Sequence, residues 1–391
     1  MGERVVFNTH RDRRQHGPHR AGIEPSAFHR TMPAYAITPM VDLADLASNL
    51  GVARISVKNE QERLGLPSFK GLGSSWALHE RVRAAGGQVR TLIPFPDLRA
   101  LVLRLGPPTL CTASDGNHGR AVAALAEALG CGCVVFLPAD SAASRVDAIL
   151  RHGAEVELIN GSYDDAVEAA RTTTEARGHW YCPDTVGPDA TEEERTFASN
   201  VMAGYGTLFE EFLRQLGRVP DFLFVQAGVG GLSAAGVSAV RQVSASTRVV
   251  VVEPQGSAAI ARSFAAGSPT TVPDAPTVMA CLRCQSVSAV AWPALVAGVD
   301  AVMLVTDDEA ATAVRALARA GIVAGASGAA GLAGVLVACA DESVRSRIGI
   351  TSDSSIAVVN TEGATDPESY EAILAGNARA PRRRGAPELL R

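Results

Sequence analysis

The sequence predicts an α/β protein with two domains, each a mainly parallel, twisted sheet covered by helices, and three observations support this fold class. The chain has 391 residues, enough for two packed domains or one large α/β unit. Apolar residues make up 47% and charged residues 20%, so a sizeable core is available and global disorder is excluded. Short strand-like runs alternate with helical patterns, as in parallel sheets with crossing helices.

Strands are predicted where short apolar runs are rich in β-branched residues. These runs cover residues 110–113, 133–137, 156–159, 222–226, 249–253, 301–305 and 356–359. Helices are predicted over residues 120–129, 144–152, 164–177, 200–216 and 307–320, and a glycine follows each of them. The long helical pattern that follows the polar stretch 183–195 is expected to cross between the two units. Ligands are expected at the carboxyl ends of the strands.

Charge argues against a nucleic-acid-binding protein. The net charge is −5, whereas phosphate contacts require a basic surface. Only the ends are basic: residues 1–30 carry six arginines against three acids, and residues 379–391 carry five against one. We expect both ends to be flexible, solvated tails. The N-terminus lacks the apolar core of a signal peptide, so the expected location is the cytoplasm.

Two uncharged stretches, residues 222–240 and 320–340, approach the ~20 residues that span a bilayer. They contain four and five glycines, and each is predicted to form a strand, a tight glycine loop and a buried helix. We therefore expect a soluble protein without membrane contacts. The seven cysteines are scattered and complete no zinc-binding pattern, so no metal is expected.

Lysine usage points to covalent chemistry. Of the 36 basic residues only Lys58 and Lys70 are lysines. A lysine can lose its proton and attack a carbonyl, which a guanidinium cannot do. Lys70 lies where a helix is expected to begin and follows Phe69, and both features disfavour its charge. We expect Lys70 to be a partly deprotonated nucleophile; the alternative is a surface lysine that caps a turn.

The segment 112–120 (TASDGNHGR) joins a predicted strand to a predicted helix. Its glycines and short polar side chains can form a nest of hydrogen-bond donors. Asn117 could hold a phenolate oxygen, and the backbone could hold a carboxylate. Asp115 either caps the helix or takes part in catalysis. For His118 we favour a packed, hydrogen-bonded histidine.

The segment 228–236 (GVGGLSAAG) also joins a strand to a helix, and its amides can bind a phosphate. A dinucleotide site is the alternative, because Glu253 ends the next strand 25 residues after Gly228. Ser233 stands where the dinucleotide motif needs its third glycine, which favours a single phosphate. In the segment 358–366 (VVNTEGATD), Thr361 could hydrogen-bond a neutral heterocyclic nitrogen.

Taken together, these motifs resemble the site of fold-type II pyridoxal-phosphate (PLP) enzymes, and the chain resembles the diaminopropionate ammonia-lyase family within that group. The matching segments lie between about residues 55 and 370 and are KNEQERLGLPSFKGLG, TASDGNHGRAVA, SRVDAILRHGAEV, YDDAV, GVGGLSAA, TVMACLRC, SGAAG and NTEGATDPE. The Asp in SDGNHG is the specific mark, because serine and threonine dehydratases usually carry a small or neutral residue there.

The resemblance implies a role for each site residue. Lys70 would bind the cofactor covalently, and Lys70 and Asp115 would be alternative bases for the two substrate enantiomers. Asp184 would lie near the substrate amine. The other implied cofactor contacts are Phe69, Asn117 at the phenolic oxygen, Gly228, Val229, Gly230, Gly231 and Leu232 at the phosphate, and Thr361 at the pyridine nitrogen. The implied substrate contacts are Ser114, Gly116 and His118.

The implied reaction is elimination of the β-amino group of 2,3-diaminopropionate, which gives pyruvate and ammonia. The implied large cofactor-binding domain comprises residues 31–78 and 200–378, the small domain comprises residues 79–199, and the active site lies between them. A homodimer is expected.

Several positions depart from the family pattern. Val186 to Asp189 replace an aromatic and acidic stretch, and Gln285 to Val287 replace Gly-Glu-Pro. Cys281 and Ala326 replace a Gly and a Glu. A related PLP enzyme that performs β-elimination or β-replacement on another β-substituted amino acid is therefore the main alternative. A nucleotide-dependent oxidoreductase and a non-catalytic cofactor-binding relative are the alternatives from other classes.

Overall fold

A computed structural model of the protein describes residues 4–11, 24–87, 91–114 and 116–377. The expected C-terminal tail, much of the expected N-terminal tail and Asp115 lie outside the described residues. The described chain forms an α/β fold with two sheets covered by helices, which confirms the predicted fold class.

Eleven strands are present in the described residues. They are β1 (Val5–Phe7), β2 (Met40–Asp42), β3 (Arg54–Asn59), β4 (Thr109–Ala113), β5 (Gly132–Pro138), β6 (Glu155–Ile159), β7 (Trp180–Tyr181), β8 (Phe222–Gln226), β9 (Arg248–Pro254), β10 (Ala301–Val305) and β11 (Ser355–Asn360). All seven strands predicted from apolar runs are present within one residue of their predicted ends. The four others are short or polar.

The helices of the described chain cover both faces of the sheets. They are α1 (Pro25–His29), α2 (Ala44–Asn49), α3 (Lys70–Ala85), α4 (Phe95–Leu105), α5 (Asn117–Leu129), α6 (Ala143–Leu150), α7 (Tyr163–Arg177), α8 (Glu192–Gly204), α9 (Gly206–Leu216), α10 (Gly231–Val243), α11 (Ala259–Ala266), α12 (Trp292–Gly298), α13 (Asp307–Arg319), α14 (Ala326–Ala340), α15 (Glu342–Ile348) and α16 (Pro367–Leu374). A short 3-10 helix covers Ala280–Leu282.

The larger sheet has seven strands in the order β1-β10-β9-β8-β11-β3-β2. The five inner strands are parallel, and β1 and β2 are antiparallel edge strands. Ala357 of β11 pairs with Leu223 on one side and Ser56 on the other, which sets the central register. Helices cover both faces, so the inner strands β8 and β11 are buried along their whole length.

The smaller sheet has four parallel strands in the order β6-β5-β4-β7. Helix α3 packs closely against α8 and also contacts α5, which packs on the smaller sheet. A Cβ added to Gly204 of α8 would lie 2.5 Å from the carbonyl oxygen of Leu72, so only glycine permits this approach of the two helices. The contact fixes the start of α3 between the two sheets.

Two predicted elements differ from the structure. The single helix expected over residues 200–216 is broken at Tyr205, which ends α8 and caps α9. The strand expected at the start of the stretch 320–340 is absent. The backbone there bonds to side chains instead, since the amide of Val323 donates to Gln61 and its carbonyl accepts from Asn360.

Helix length and hydropathy bear on the membrane question. No single described helix is long and apolar enough to span a bilayer. Helices α14 and α15 together reach the required length and composition, but they meet at a bend of 107°.

Candidate active site

The carboxyl ends of parallel strands bring the candidate residues together. Strands β3, β11 and β8 are neighbours, and the segments after them carry Lys70, Thr361 and the glycine loop that begins at Gly228. Strands β4 and β7 of the smaller sheet lead to Asn117 and Asp184. These segments line one cleft, whose empty space together with the solvent at its mouth is about 770 Å³.

Twelve of the fourteen predicted site residues line this cleft. They are Phe69, Lys70, Ser114, Asn117, His118, Asp184, Gly228, Val229, Gly230, Gly231, Leu232 and Thr361. Gly116 is not among the lining residues; it caps α5 with φ +132°, a conformation that favours glycine. Asp115 lies outside the described residues, and its role stays a prediction.

Lys70 begins α3 and points into the cleft, where its Nζ donates to Oδ2 of Asp184 at 2.5 Å. Burial alone would lower the pKa of Lys70, but the Asp184 carboxylate raises it overall. Burial opposes ionisation of Asp184 as well, yet Lys70 lowers the pKa of that carboxyl to about 2. The Asp184 carboxylate therefore favours the charged form of Lys70, contrary to the expectation of a partly deprotonated lysine, because the sequence did not reveal that Asp184 lies beside it.

The loop after β4 is held by its own hydrogen bonds. The Ser114 hydroxyl oxygen accepts from the amides of Gly116 and Gly119, both at 2.8 Å. His118 donates from Nε2 to the Cys182 carbonyl oxygen at 2.8 Å, and burial lowers its pKa. This is the packed, hydrogen-bonded histidine that the sequence favoured, although the ring also lines the cleft.

Asn117 contacts a carboxylate that sequence reasoning did not select. Its Nδ2 donates to Oε2 of Glu362 and lies 3.3 Å from the Cys281 sulfur. The Cys281 thiol lies 3.5 Å from the same Glu362 oxygen. Cys281 occupies the position where the resemblance expects glycine, so this chain places an additional thiol in the cleft.

The glycine loop forms a cradle for an anion. Helix α10 begins at Gly231, and the first amides of a helix have no acceptor within it. A Cβ on Gly228 would lie 2.8 Å from the Cys284 sulfur, and Gly230 has φ +95°. The sequence requirement for glycine at these two positions is therefore steric and conformational.

Thr361 is oriented by Gln226. The Gln226 side-chain amide donates to the Thr361 hydroxyl oxygen at 3.0 Å and also lies near backbone carbonyls of α14 and β11. Because an amide nitrogen only donates, the Thr361 proton remains available for another acceptor. A neutral pyridine nitrogen is an acceptor of this kind.

Lys58 is not in the cleft, although the sequence singled out both lysines. It lies within β3, where its Nζ donates to the Thr38 carbonyl, Glu211 and Gln215 at 2.7–2.8 Å. Arg63 also donates to Glu211. Of the two lysines, which are twelve residues apart, Lys58 therefore has a structural position and Lys70 lies in the cleft.

Other lining residues were missed at the sequence level. They are Tyr163, Tyr205, Gln226, Ser327 and Glu362. Two had a usable signal, since Gln226 is a polar residue at the end of an apolar strand and Glu362 directly follows Thr361. Tyr205 had none, because its position depends on the break between α8 and α9.

The cleft fits pyridoxal phosphate on its own chemistry. It contains a primary amine, an anion cradle, an amide donor and a hydroxyl that can donate to a ring nitrogen. In the described part of the chain the buried hydroxyl of Tyr205 finds no acceptor for its proton, which an acceptor atom of a bound molecule would supply.

Comparisons with known proteins agree with this chemistry. Residues 31–353 match the family model described as pyridoxal-phosphate dependent enzyme. Diaminopropionate ammonia-lyase of Salmonella typhimurium is 33% identical over 374 residues, which cover 90% of this chain and 91% of the relative. The holo structure of the Escherichia coli diaminopropionate ammonia-lyase has a TM-score of 0.87 at 29% identity and covers 97% and 98% of the two chains.

A further structure of the Escherichia coli enzyme carries an aminoacrylate–PLP reaction intermediate. It has a TM-score of 0.84 at 28% identity and covers 97% of this chain and 98% of that one. The Salmonella relative and the two Escherichia coli structures match 90% or more of this chain. The chain therefore belongs to the family of pyridoxal-phosphate dependent enzymes that includes the diaminopropionate ammonia-lyases.

Proposed function

We propose that this protein is a PLP-dependent ammonia-lyase that converts 2,3-diaminopropionate and water into pyruvate and two molecules of ammonia. One observation carries the proposal: the Asp184 carboxylate holds a primary ammonium at 2.5 Å inside the cleft, beside the glycine cradle. A substrate with two ammonium groups requires such a carboxylate, and an amine leaves readily only when it is protonated.

When bound, pyridoxal phosphate supplies an aldehyde that joins amines and an electron sink for the pair left by the α-proton. The glycine loop would hold the phosphate, Asn117 the phenolic oxygen and Thr361 the ring nitrogen. These contacts fix the orientation of the reacting groups, which is a large part of the rate enhancement in such sites.

Proton transfer is assigned to three side chains. Lys70 would accept the α-proton of one enantiomer at Nζ, and Asp115 would accept the α-proton of the other. Asp184 would keep the β-ammonium protonated until it leaves. Because Asp184 is 9% exposed, its charge acts in a partly dry site, where electrostatic attraction is stronger than in bulk water.

The reaction is tested with purified protein, added PLP and a panel of β-substituted amino acids, with ammonia and 2-oxo acid measured together. Both enantiomers of 2,3-diaminopropionate should give two ammonia per pyruvate, whereas serine would give one. Turnover of another member of the panel, without turnover of diaminopropionate, would favour the related β-elimination or β-replacement enzyme. A PLP-binding protein that releases no 2-oxo acid from any member would be a non-catalytic relative.

We also propose the domain division and cellular setting that the sequence suggested. The four-strand sheet would form the core of the small domain, residues 79–199, and the seven-strand sheet the core of the large one. The acidic chain would act as a cytoplasmic homodimer without nucleic-acid partners. Light scattering tests the homodimer, and fractionation of expressing cells tests the cytoplasmic location.

A further inference from the structure

Tyr205 has a buried hydroxyl that the protein does not satisfy. The side chain is 2% exposed and lines the cleft, with its ring edge-on to Phe69 at 4.7 Å between centroids. Within the described residues no partner lies in ordinary hydrogen-bond geometry with its hydroxyl oxygen. The nearby Lys70 ammonium acts against the rise in the pKa of Tyr205, but it can only donate to this oxygen, so the hydroxyl proton has no acceptor. Leaving a buried hydroxyl unpaired is costly, so the position is explained if a bound molecule supplies the partner.

The ring lies between the starts of two helices. A Cβ on Gly73 of α3 would lie 2.5 Å from Cε1 of Tyr205, and a Cβ on Gly231 of α10 would lie 3.8 Å from Cε2. The Lys70 Nζ is 6.0 Å from the ring centroid. The Tyr205 ring therefore contacts the start of α10 and lines the same cleft as Lys70 and the glycine loop, and both of these neighbours are suited to a bound anion.

The hydroxyl is a donor at neutral pH. Burial raises the pKa of Tyr205 to about 12, although the nearby Lys70 charge opposes the rise. A donor at this place requires an acceptor on the ligand. The phosphate of the cofactor, which the glycine cradle is proposed to hold, has strong acceptor oxygens.

We propose that Tyr205 binds the cofactor by donating a hydrogen bond from its hydroxyl to a phosphate oxygen held at residues 228–232. This inference rests on the assignment of that loop to the phosphate. It adds a cofactor-binding residue that lies outside every motif of the sequence, on the break between two helices.

The test compares binding of PLP and of pyridoxal, which lacks the phosphate, to the full apo chain. Tyr205→Phe removes only the oxygen atom. We expect the variant to bind PLP at least about tenfold more weakly, the typical effect of losing a hydrogen bond to a charged group, and to bind pyridoxal as the wild type does. The melting temperature of its apo form should be equal or higher, because no partner is lost.

The matched control is Tyr35→Phe. The Tyr35 hydroxyl donates to Glu211 at 2.9 Å, so this variant should melt at a lower temperature and keep the wild-type preference for PLP over pyridoxal.

The possible outcomes separate the two assignments. If wild type binds PLP no better than pyridoxal, the proposed phosphate cradle is wrong. If wild type prefers PLP and Tyr205→Phe keeps the full preference, only the Tyr205 assignment is wrong. Weaker binding of PLP and pyridoxal by the same factor would also overturn it, because the lost contact would not involve the phosphate.

Discussion

The two lysines of this chain are both paired with carboxylates, yet they lie in opposite kinds of site. Lys58 is fully buried and donates to three acceptors, which use all three of its protons. The Lys70 side chain is 19% exposed, and its Nζ bonds to one carboxylate at the wall of an open cleft. Lys58 therefore satisfies buried acceptors in the core, whereas Lys70 is an amine that a ligand can reach.

The comparison shows that scarcity of lysine marks two different needs. Lys58 requires a compact ammonium that fits three acceptors, which a planar guanidinium would not do. Lys70 requires a primary amine that can form a bond with an aldehyde. The number of partners and the access of solvent separate the two roles.

The largest expected effect comes from matched replacements by arginine, which keep the charge. Lys70→Arg should reduce activity by about 10⁴-fold, because the covalent attachment point and a base are both lost. Its melting temperature should stay near that of wild type, since the cleft gives the longer side chain space. The measurements are 2-oxo acid formation, and cofactor retained on the chain after borohydride reduction.

Lys58→Arg is the control with the opposite outcome. The buried site should not accept the larger group, and the free energy of unfolding should fall by about 2–4 kcal/mol. Borohydride should still trap the cofactor on the folded fraction. Retention of the cofactor by Lys70→Arg, or its loss from folded Lys58→Arg, would reverse the assignment of the two lysines.

The carboxylate partners should differ in the same way. Glu211→Gln removes one partner of Lys58 and Arg63 in a buried network and should cost about 3–5 kcal/mol of unfolding free energy in urea. Asp184→Asn should cost less, because water can reach Lys70. It should lower the pKa of the Lys70 ammonium, which the pH dependence of cofactor capture measures. If Glu211→Gln and Asp184→Asn lost equal unfolding free energy, the Lys70–Asp184 pair would be as inaccessible to water as the buried network of Glu211.

The sequence located the segments that form the cleft but not the side-chain pairs within it. The Lys70, glycine-loop and Thr361 segments were found because each follows or precedes a recognisable strand or helix. The Lys70–Asp184 pair was not, since its partners are 114 residues apart and meet only through the packing of two sheets. Tyr205 and the three acceptors of Lys58 also depend on tertiary contacts, which local patterns do not encode.

The two proposed bases of the cleft can be separated by substrate enantiomer. If Lys70 serves one enantiomer, the other requires a second base, assigned to Asp115. Asp115→Asn should reduce kcat for one enantiomer of 2,3-diaminopropionate by about 10²-fold or more and change the other much less. The assay is pyruvate release from each pure enantiomer. Equal loss on both, or no loss, would remove Asp115 from the role of enantiomer-selective base.

The smallest effect concerns acid stability, and it compares Glu211 with Asp184. Burial opposes ionisation of Glu211, but Arg63 and Lys58 lower its pKa to about 2. A carboxyl whose pKa is lower in the folded state stabilises the protein above the unfolded pKa, and this contribution is lost as the pH falls toward 2. By pH 3 wild type should lose about 2 kcal/mol through Glu211, and Glu211→Gln should not.

Urea unfolding of wild type and variant between pH 6 and pH 3 measures this difference, since all other acids titrate in both proteins. The gap in unfolding free energy between wild type and Glu211→Gln should narrow as the pH falls. The gap for Asp184→Asn should narrow by about half as much, because an aspartate starts from a lower unfolded pKa. If the difference in unfolding free energy between wild type and Glu211→Gln stayed constant with pH, Glu211 would contribute through packing and neutral hydrogen bonds. The two lysine sites would then differ only in how far solvent reaches them.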